Sequence, residues 1–343
     1  MKADKGLPFI QQLRNVARYE DGKTIILDRR VYPEKIEYVE CTDYHEVANA
    51  IMDMVTQSYG PWVAASYGMV NAARKAKSMS KEQATRELQQ AVNVLSNARP
   101  TTSGGMAKTV NRILDHALKL LETGVIDLEK QVLRYVNSTI EARYKEDRTI
   151  CSYAVDLLPD PATVLTQCYA ETLIGFVLLI SLERGKKISL ICPETRPYLQ
   201  GARLTASASV DLGVPTTVIT DNMPAFVLSQ GKVDAFICAA DVVTLDGYVV
   251  NKVGTFQIAL AADYHKVPFY VVRNPSINNP TISTVKIEER DPDETLYAMG
   301  KRTAKEGVKG YYPAFDITPP HLISAVITSK GVFSPYDIKN HFG

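Results

Sequence analysis

The sequence has almost no surplus of charge: 39 Lys and Arg stand against 38 Asp and Glu over 343 residues, a formal net charge of +1. A nucleic-acid binder that neutralises many phosphates needs a basic face, and this balance, with no dominant basic block, excludes one. It also excludes an acidic tail or a disordered activator. Long hydrophobic runs are missing. The longest mainly apolar stretch, about Leu173 to Leu182, is roughly half of what a bilayer-spanning helix requires, and the opening Met1-Lys2-Ala3-Asp4-Lys5 puts charge where a signal peptide needs an apolar run. A soluble, cytoplasmic protein without membrane or nucleic-acid partners is expected. Cysteine is scarce and scattered: Cys41, Cys151, Cys168, Cys192 and Cys238 form no C-x-x-C pair and no His-bearing spacing, so no disulfide framework and no metal site is expected. G-x-G-x-x-G and G-x-x-x-x-G-K-[ST] are both absent, which removes support for dinucleotide and nucleoside triphosphate binding. None of the five histidines, His45, His116, His265, His321 and His341, stands in a nucleophile-elbow context.

What the chain does have is a 45% hydrophobic composition, ordinary for a globular protein, and a length that at about 150 residues per domain suggests two domains. Up to about residue 40, the Asp21-Gly22 pair and the alternating run from Thr24 to Pro33 predict a small hairpin-type β unit. Helical spacing follows over 43–56, through Val47, Ile51, Met52 and Val55, and over 80–97, where Ser80 precedes Lys81-Glu82-Gln83 as a cap. Further helices fit 108–122 and 128–144. From about Thr149 the texture changes to short apolar runs separated by helical segments, at 163–165, 187–192, 216–220, 235–241 and 268–272. Such β-α repeats specify a mostly parallel sheet covered by helices. The expected fold class is α/β: a mainly helical N-terminal domain opened by the β unit, residues 1–145, then a doubly wound, mostly parallel, Rossmann-like sheet domain, residues 146–343.

In a doubly wound sheet, ligands sit beyond the carboxyl ends of the strands. The first run is followed by Gln167-Cys168-Tyr169-Ala170-Glu171 and the start of a helix. A thiol at a helix N-terminus has its pKa lowered by the dipole and can serve as acid, base or nucleophile; core packing is the alternative. Glu194, Arg196, Gln200 and Arg203 follow the second run, ahead of a helix rich in small residues, where the arginines could hold an anion. After 216–220, Asp221 reads as the cap of the next helix. Asp241 ends the run 235–241, where poor solvation would raise its pKa towards that of a proton donor near neutral pH; bonding to local amides is the alternative. Asp246-Gly247 predicts a turn, and Asn251, Lys252 and Gly254 fit an anion cradle. In the helical part, Pro100 halts a helix after Arg99, and Thr101-Thr102-Ser103-Gly104-Gly105 reads either as a linker or as a phosphate clip.

Taken in order, these segments resemble the methylthioribose-1-phosphate isomerase family. Its relatives are the ribose-1,5-bisphosphate and 5-deoxyribose-1-phosphate isomerases and the regulatory subunits of the eukaryotic initiation-factor-two exchange factor. The likeness runs from about residue 17 to about 338 and rests on ARPT at 98–101, ETRPYLQGARLTA at 194–206, TDNM at 220–223, AADVV followed by NKVGT, IEERDP at 287–292 and YYPAFDITPP towards the end. It implies catalytic roles for Cys168 and Asp241 and ligand-holding roles for Arg99, Gln200, Asn251 and Lys252. It also implies a homodimer, no metal or organic cofactor, and a place in methionine salvage.

Three departures bear on the substrate. Gln57-Ser58-Tyr59-Gly60-Pro61-Trp62 stands where relatives carry Arg-Gly-Ala-Pro. Tyr169-Ala170-Glu171 replaces an Asn-Ala-Gly or Asn-Thr-Gly sequence, and TSGGMAK replaces Ala-Val-Asn after ARPT. Tyr59, Gly60, Ser103, Gly104 and Lys108 therefore join the expected phosphate-side residues, Lys108 as a replacement cation. The implied reaction converts an aldose 1-phosphate, of the methylthioribose or 5-deoxyribose type, to the ketose 1-phosphate. Asp241 would act as acid/base at the ring and hydroxyl oxygens, with Cys168 as its partner. A non-catalytic sugar-phosphate or nucleotide sensor, resembling the regulatory subunits, is the alternative that the retained Cys168 and Asp241 oppose.

Overall fold

A computed structural model describes residues 3–98, 103–298 and 300–343. Arg99, an expected ligand position, lies outside the described residues. Two compact units form, one of residues 9–145 with the segment up to Lys5, the other of residues 146–343 with Gly6–Pro8.

The first unit begins with a short helix, α1 (Leu13–Val16), and three strands, β1 (Ala17–Glu20), β2 (Lys23–Leu27) and β3 (Tyr38–Cys41), paired antiparallel in the order β1-β2-β3. The β1–β2 turn places both Asp21 (φ 50°) and Gly22 (φ 79°) in the left-handed region, as a two-residue hairpin turn that follows the strand twist requires. Helices α2 (Tyr44–Met52), α3 (Gly60–Ala76), α4 (Lys81–Ser96), α5 (Ser103–Glu122) and α6 (Leu128–Asp156) follow. The Asp43 carboxylate caps α2 by accepting from the His45 and Glu46 amides. Ser80 and Gln83 close a reciprocal capping box on α4. The small residues of α3 let it pack against α2, α4 and α5, with most of its surface buried.

Helix α3 has no counterpart among the expected helical segments, and two others differ markedly in extent. Helix α5 starts at Ser103 rather than 108, so Ser103 and Gly104 lie in its first turn, and Thr101 and Thr102 of the expected linker or phosphate clip lie outside the described residues. Buried Met106, Val110, Ile113 and Ala117 continue one helical face back to that start. Helix α6 runs to Asp156, twelve residues beyond the expected 144, because buried Asp147, Cys151, Ala154 and Val155 extend its buried face.

The second unit holds β4 (Ala162–Leu165), α7 (Thr172–Glu183), β5 (Ile188–Pro193), α8 (Ala206–Asp211), β6 (Thr216–Ile219), α9 (Pro224–Ser229), β7 (Ala235–Cys238), β8 (Val242–Val243), β9 (Val249–Lys252), α10 (Thr255–Tyr264) and β10 (Phe269–Val272). Then come β11 (Tyr297–Ala298), β12 (Lys301–Arg302), β13 (Phe315–Thr318), β14 (Ala325–Thr328) and β15 (Gly331–Phe333). The main sheet runs β15-β14-β10-β7-β4-β5-β6, parallel except for the antiparallel edge strand β15. All four residues of β7 are buried, as expected of a central strand covered on both faces. The chain enters at β4, steps outward through β5 and β6, then returns to β7 and steps the other way. That reversal puts the topological switch between β4 and β7, where doubly wound sheets open a crevice for ligands. A second, antiparallel sheet, β13-β9-β8, was not expected from the sequence and carries Asn251 and Lys252.

Candidate active site

Cys168 and Asp241 follow β4 and β7, the two strands that flank the switch point. A strand-end position alone does not bring side chains together. Here the loops do, because the Asp241 carboxylate lies near enough to the Cys168 sulfur for its charge to raise the thiol's pKa. Three residues beyond β7, Asp241 is half-buried, and its amide donates to the Val250 carbonyl at 2.9 Å, which ties its loop to β9.

The Cys168 loop is held from several sides. Its amide donates to Thr195 Oγ1 at 3.2 Å, and the Thr205 hydroxyl donates to its carbonyl. Gln167 Nε2 donates to the Val253 carbonyl at 3.1 Å. Cys168 (φ 62°), Glu171 (φ 46°), Thr195 (φ 63°) and Leu199 (φ 62°) all adopt left-handed backbone conformations, which cost a non-glycine residue of the order of 1–2 kcal/mol each. Such strain persists only where surrounding contacts over-determine the backbone, and here it clusters in the loops after β4 and β5.

The thiol is not activated as the helix-dipole argument expects. Helix α7 begins only at Thr172, four residues downstream, with buried Glu171 as its N-cap. Burial dominates and pushes Cys168 from 9.0 up to about 11, against Lys252, the Tyr169 amide and Arg290, which pull it down. At pH 7 a thiol with that pKa is ionised in about one molecule in 10⁴. Cys168 is therefore a neutral S–H donor. It is also the one cysteine of the five with part of its surface open.

Asn251 and Lys252 end β9 with their side chains buried. Asn251 Nδ2 donates to Thr255 Oγ1 at 3.0 Å, and that hydroxyl donates to the Lys252 carbonyl at 2.7 Å. The Lys252 ammonium lies 4.9 Å from the Phe315 ring centroid and 3.4 Å from the Tyr312 hydroxyl. Opposite Asn251 in the β9–β13 register, Asp316 accepts from the Gly254 amide at 2.7 Å and the Phe256 amide at 3.1 Å. Burial pushes its carboxyl from 3.8 up to about 6, while those amides and Lys252 pull it down. Gln200 is buried, and its Oε1 has no hydrogen-bond partner.

The ETRP loop corrects another expectation. Asp221 does not cap α9, whose N-cap is Met223. Its carboxylate instead accepts from the Thr195 amide at 2.7 Å and the Arg196 amide at 2.6 Å, fixing the loop that leads to Gln200. The Arg196 guanidinium donates to the carbonyls of Tyr297 and Pro197. Arg203 stacks over Tyr198, with 5.0 Å from guanidinium carbon to ring centroid.

Sequence reasoning passed over Arg290, Tyr312 and Asp316. Arg290 and Tyr312 both act electrostatically on Cys168. Arg290 lies within the IEERDP motif, and Tyr312 and Asp316 lie in YYPAFDITPP. Both segments carried the resemblance, yet neither offered a strand-end position to single out a residue.

The five remaining expected residues, Tyr59, Gly60, Ser103, Gly104 and Lys108, lie in the first unit. Tyr59 is the N-cap of α3, with the Arg143 guanidinium carbon 5.2 Å from its ring centroid. Gly60 is buried, and a Cβ there would come within 1.7 Å of Thr56 Oγ1, so a larger residue requires the Thr56 side chain to move. Gly104 lies in the first turn of α5 with Ser103, and Lys108 is exposed further along that helix. Among the described residues, no three His, Cys, Asp or Glu side chains gather as a metal site requires. Among them too, no helix is long and apolar enough to cross a membrane.

A thiol, a carboxyl group and a buried lysine thus stand near one another at the switch point of a doubly wound α/β sheet, the position where that class of protein takes its ligands. The chain belongs to the initiation factor 2 subunit family, whose model matches residues 55–335. It is 36% identical over 332 residues to a methylthioribose-1-phosphate isomerase of Desulforamulus reducens, covering 94% of this chain and 96% of that protein. The crystal structure of 5-methylthioribose 1-phosphate isomerase from Pyrococcus horikoshii superposes with a TM-score of 0.86 at 29% identity, covering 99% of this chain and 96% of that one. The crystal structure of the translation initiation factor eIF-2B subunit delta from A. fulgidus gives 0.81 at 33% identity, covering 94% and 96%.

Proposed function

We propose that the chain is an aldose–ketose isomerase acting on a pentose 1-phosphate of the methylthioribose 1-phosphate type, with Cys168 and Asp241 as its acid/base pair. The observation that carries this reading is the electrostatic coupling of Cys168 to Asp241, on loops that leave neighbouring strands of the sheet. An aldose 1-phosphate is locked as a cyclic phosphoacetal. Its isomerisation needs a proton on the ring oxygen as the C1–O4 bond breaks, and loss of a proton from the C2 hydroxyl as C2 becomes a carbonyl, while hydrogen passes from C2 to C1. A thiol that stays neutral suits the first task and a carboxylate the second. The proton gained by Asp241 then returns to the thiolate, which closes the cycle with atoms and charge in balance. Gln200, Asn251 and Lys252 would hold the sugar phosphate, and positioning in a water-poor crevice would supply much of the acceleration.

A second reading, a sensor that binds without turnover, is favoured by the likeness to an initiation-factor subunit. One experiment separates the two. The protein is screened by thermal shift against ribose, 5-deoxyribose and methylthioribose 1-phosphates, followed by an assay for ketose product. A ligand at 100 times its dissociation constant stabilises by about 2.7 kcal/mol, which is readily detected. Product formation that falls by ~10²-fold or more in both Cys168→Ser and Asp241→Asn supports the isomerase. Stabilisation without product supports the sensor, and full activity in both variants rejects the proposed pair.

A further inference from the structure

The segment that leads into β13 brings a tyrosine into the site. The Arg290 amide donates to the Tyr312 carbonyl at 3.0 Å, the Ala314 amide to the Glu288 carbonyl at 2.8 Å, and the Val253 amide to the Ala314 carbonyl at 3.1 Å. These bonds pin residues 288–290 and 312–314 to each other and to the end of β9. Tyr312 is 3% exposed. Its hydroxyl oxygen accepts from Lys252 Nζ at 3.4 Å and from the Arg290 guanidinium. Arg290 is itself held by Glu288, whose carboxylate takes its Nε–H at 2.7 Å.

Ammonium and guanidinium groups only donate, so the Tyr312 oxygen is the acceptor in both bonds and its own proton is directed elsewhere. Among the described residues, no acceptor takes that proton. A buried hydroxyl proton in that state is rare in a folded chain. Cys168 and Glu294 act on Tyr312 through charge alone, and burial keeps its phenol protonated to about pH 12. The donor therefore persists throughout the physiological range and lies in the field of Cys168.

We propose that Tyr312 is a third catalytic group, its hydroxyl donating a hydrogen bond to O2 of the sugar as C2 becomes a carbonyl, with Arg290 as the residue that positions it. The inference rests on the isomerase reading and assigns the residue that steadies the oxygen from which Asp241 draws a proton. The bond strengthens as charge builds on O2, so its loss shows in turnover more than in substrate binding.

The test is the steady-state kinetics of Tyr312→Phe with the pentose 1-phosphate that the wild type turns over, alongside its urea unfolding midpoint. Loss of one donor to a developing oxyanion is expected to lower kcat on the order of 10²-fold, with KM and the midpoint little changed. An Arg290→Met variant should lose kcat similarly, and the double variant little more than either, because both remove the same bond. Should Tyr312→Phe fail to fold, 3,5-difluorotyrosine at position 312 keeps the shape but ionises at lower pH. It should bring the alkaline loss of kcat to lower pH. Normal turnover by Tyr312→Phe, or an unshifted alkaline limb with the fluorinated residue, overturns the role of Tyr312 while leaving the isomerase reading intact. A wild type that forms no ketose from any pentose 1-phosphate overturns both.

Discussion

Asp316 offers the sharpest quantitative test of the site's electrostatics. Its carboxyl is raised from 3.8 to about 6, chiefly by burial. At 1.36 kcal/mol per pKa unit, a rise of about two units makes ionised Asp316 cost the fold ~3 kcal/mol at neutral pH. The folded state binds this proton more tightly than the unfolded one. Stability from this group is thus fully present below about pH 4 and is lost as pH rises through 6. Asp316→Asn removes the titration and keeps a carbonyl oxygen to accept from the Gly254 and Phe256 amides. Urea unfolding of wild type and variant across pH 4 to 7 isolates the group, because every other titration cancels in the difference. The wild type should gain about 2.4 kcal/mol on Asp316→Asn as pH falls from 7 to 4, the unfolded carboxyl being already partly protonated at pH 4. A flat difference, or one of opposite slope, refutes the argument. Asp316→Ala should be less stable than Asp316→Asn at pH 7, since two amides at the start of α10 then lose their acceptor, at about 1–3 kcal/mol each where water cannot replace it.

Two further substitutions probe the scaffold. Gly201→Ala would place a Cβ 1.8 Å from the Pro193 carbonyl oxygen, so the backbone leading from Gln200 must move. A loss of at least about 1–3 kcal/mol in urea unfolding is expected, together with weakened turnover, and a variant as stable and active as wild type counts against the close approach. Ser80→Ala breaks the α4 capping box and should cost ~1 kcal/mol by the same measurement without changing activity.

The elements legible in the sequence were those with strong local signals. Strands β4, β5, β6 and β10 lie within about a residue of the short runs that predicted them, because inner strands such as β4 and β10 are mainly apolar and even the edge strand β6 is built from β-branched Thr, Val and Ile. The caps on α4 and the β1–β2 turn are likewise encoded over a few residues. Asp221 was misjudged because a helix cap and a loop brace use the same carboxylate. Only the fold, which puts Thr195 and Arg196 in front of it, decides between them. The dipole argument for Cys168 failed because desolvation outweighs a helix end four residues away. Arg290, Tyr312 and Asp316 had no local signature at all. Their relation to Lys252 spans 38 to 64 positions of chain and exists only once β13 pairs with β9.

Leu165 and Phe236 are direct neighbours in the β4–β7 ladder, three and five residues before Cys168 and Asp241. The two groups are thus spaced by the sheet's own centre, where hydrogen exchange is slowest, and not by a hinge. Fraying of the outermost strands β6 and β15 leaves their separation untouched. Gentle denaturant should therefore leave the pair in place until the whole sheet melts in one step.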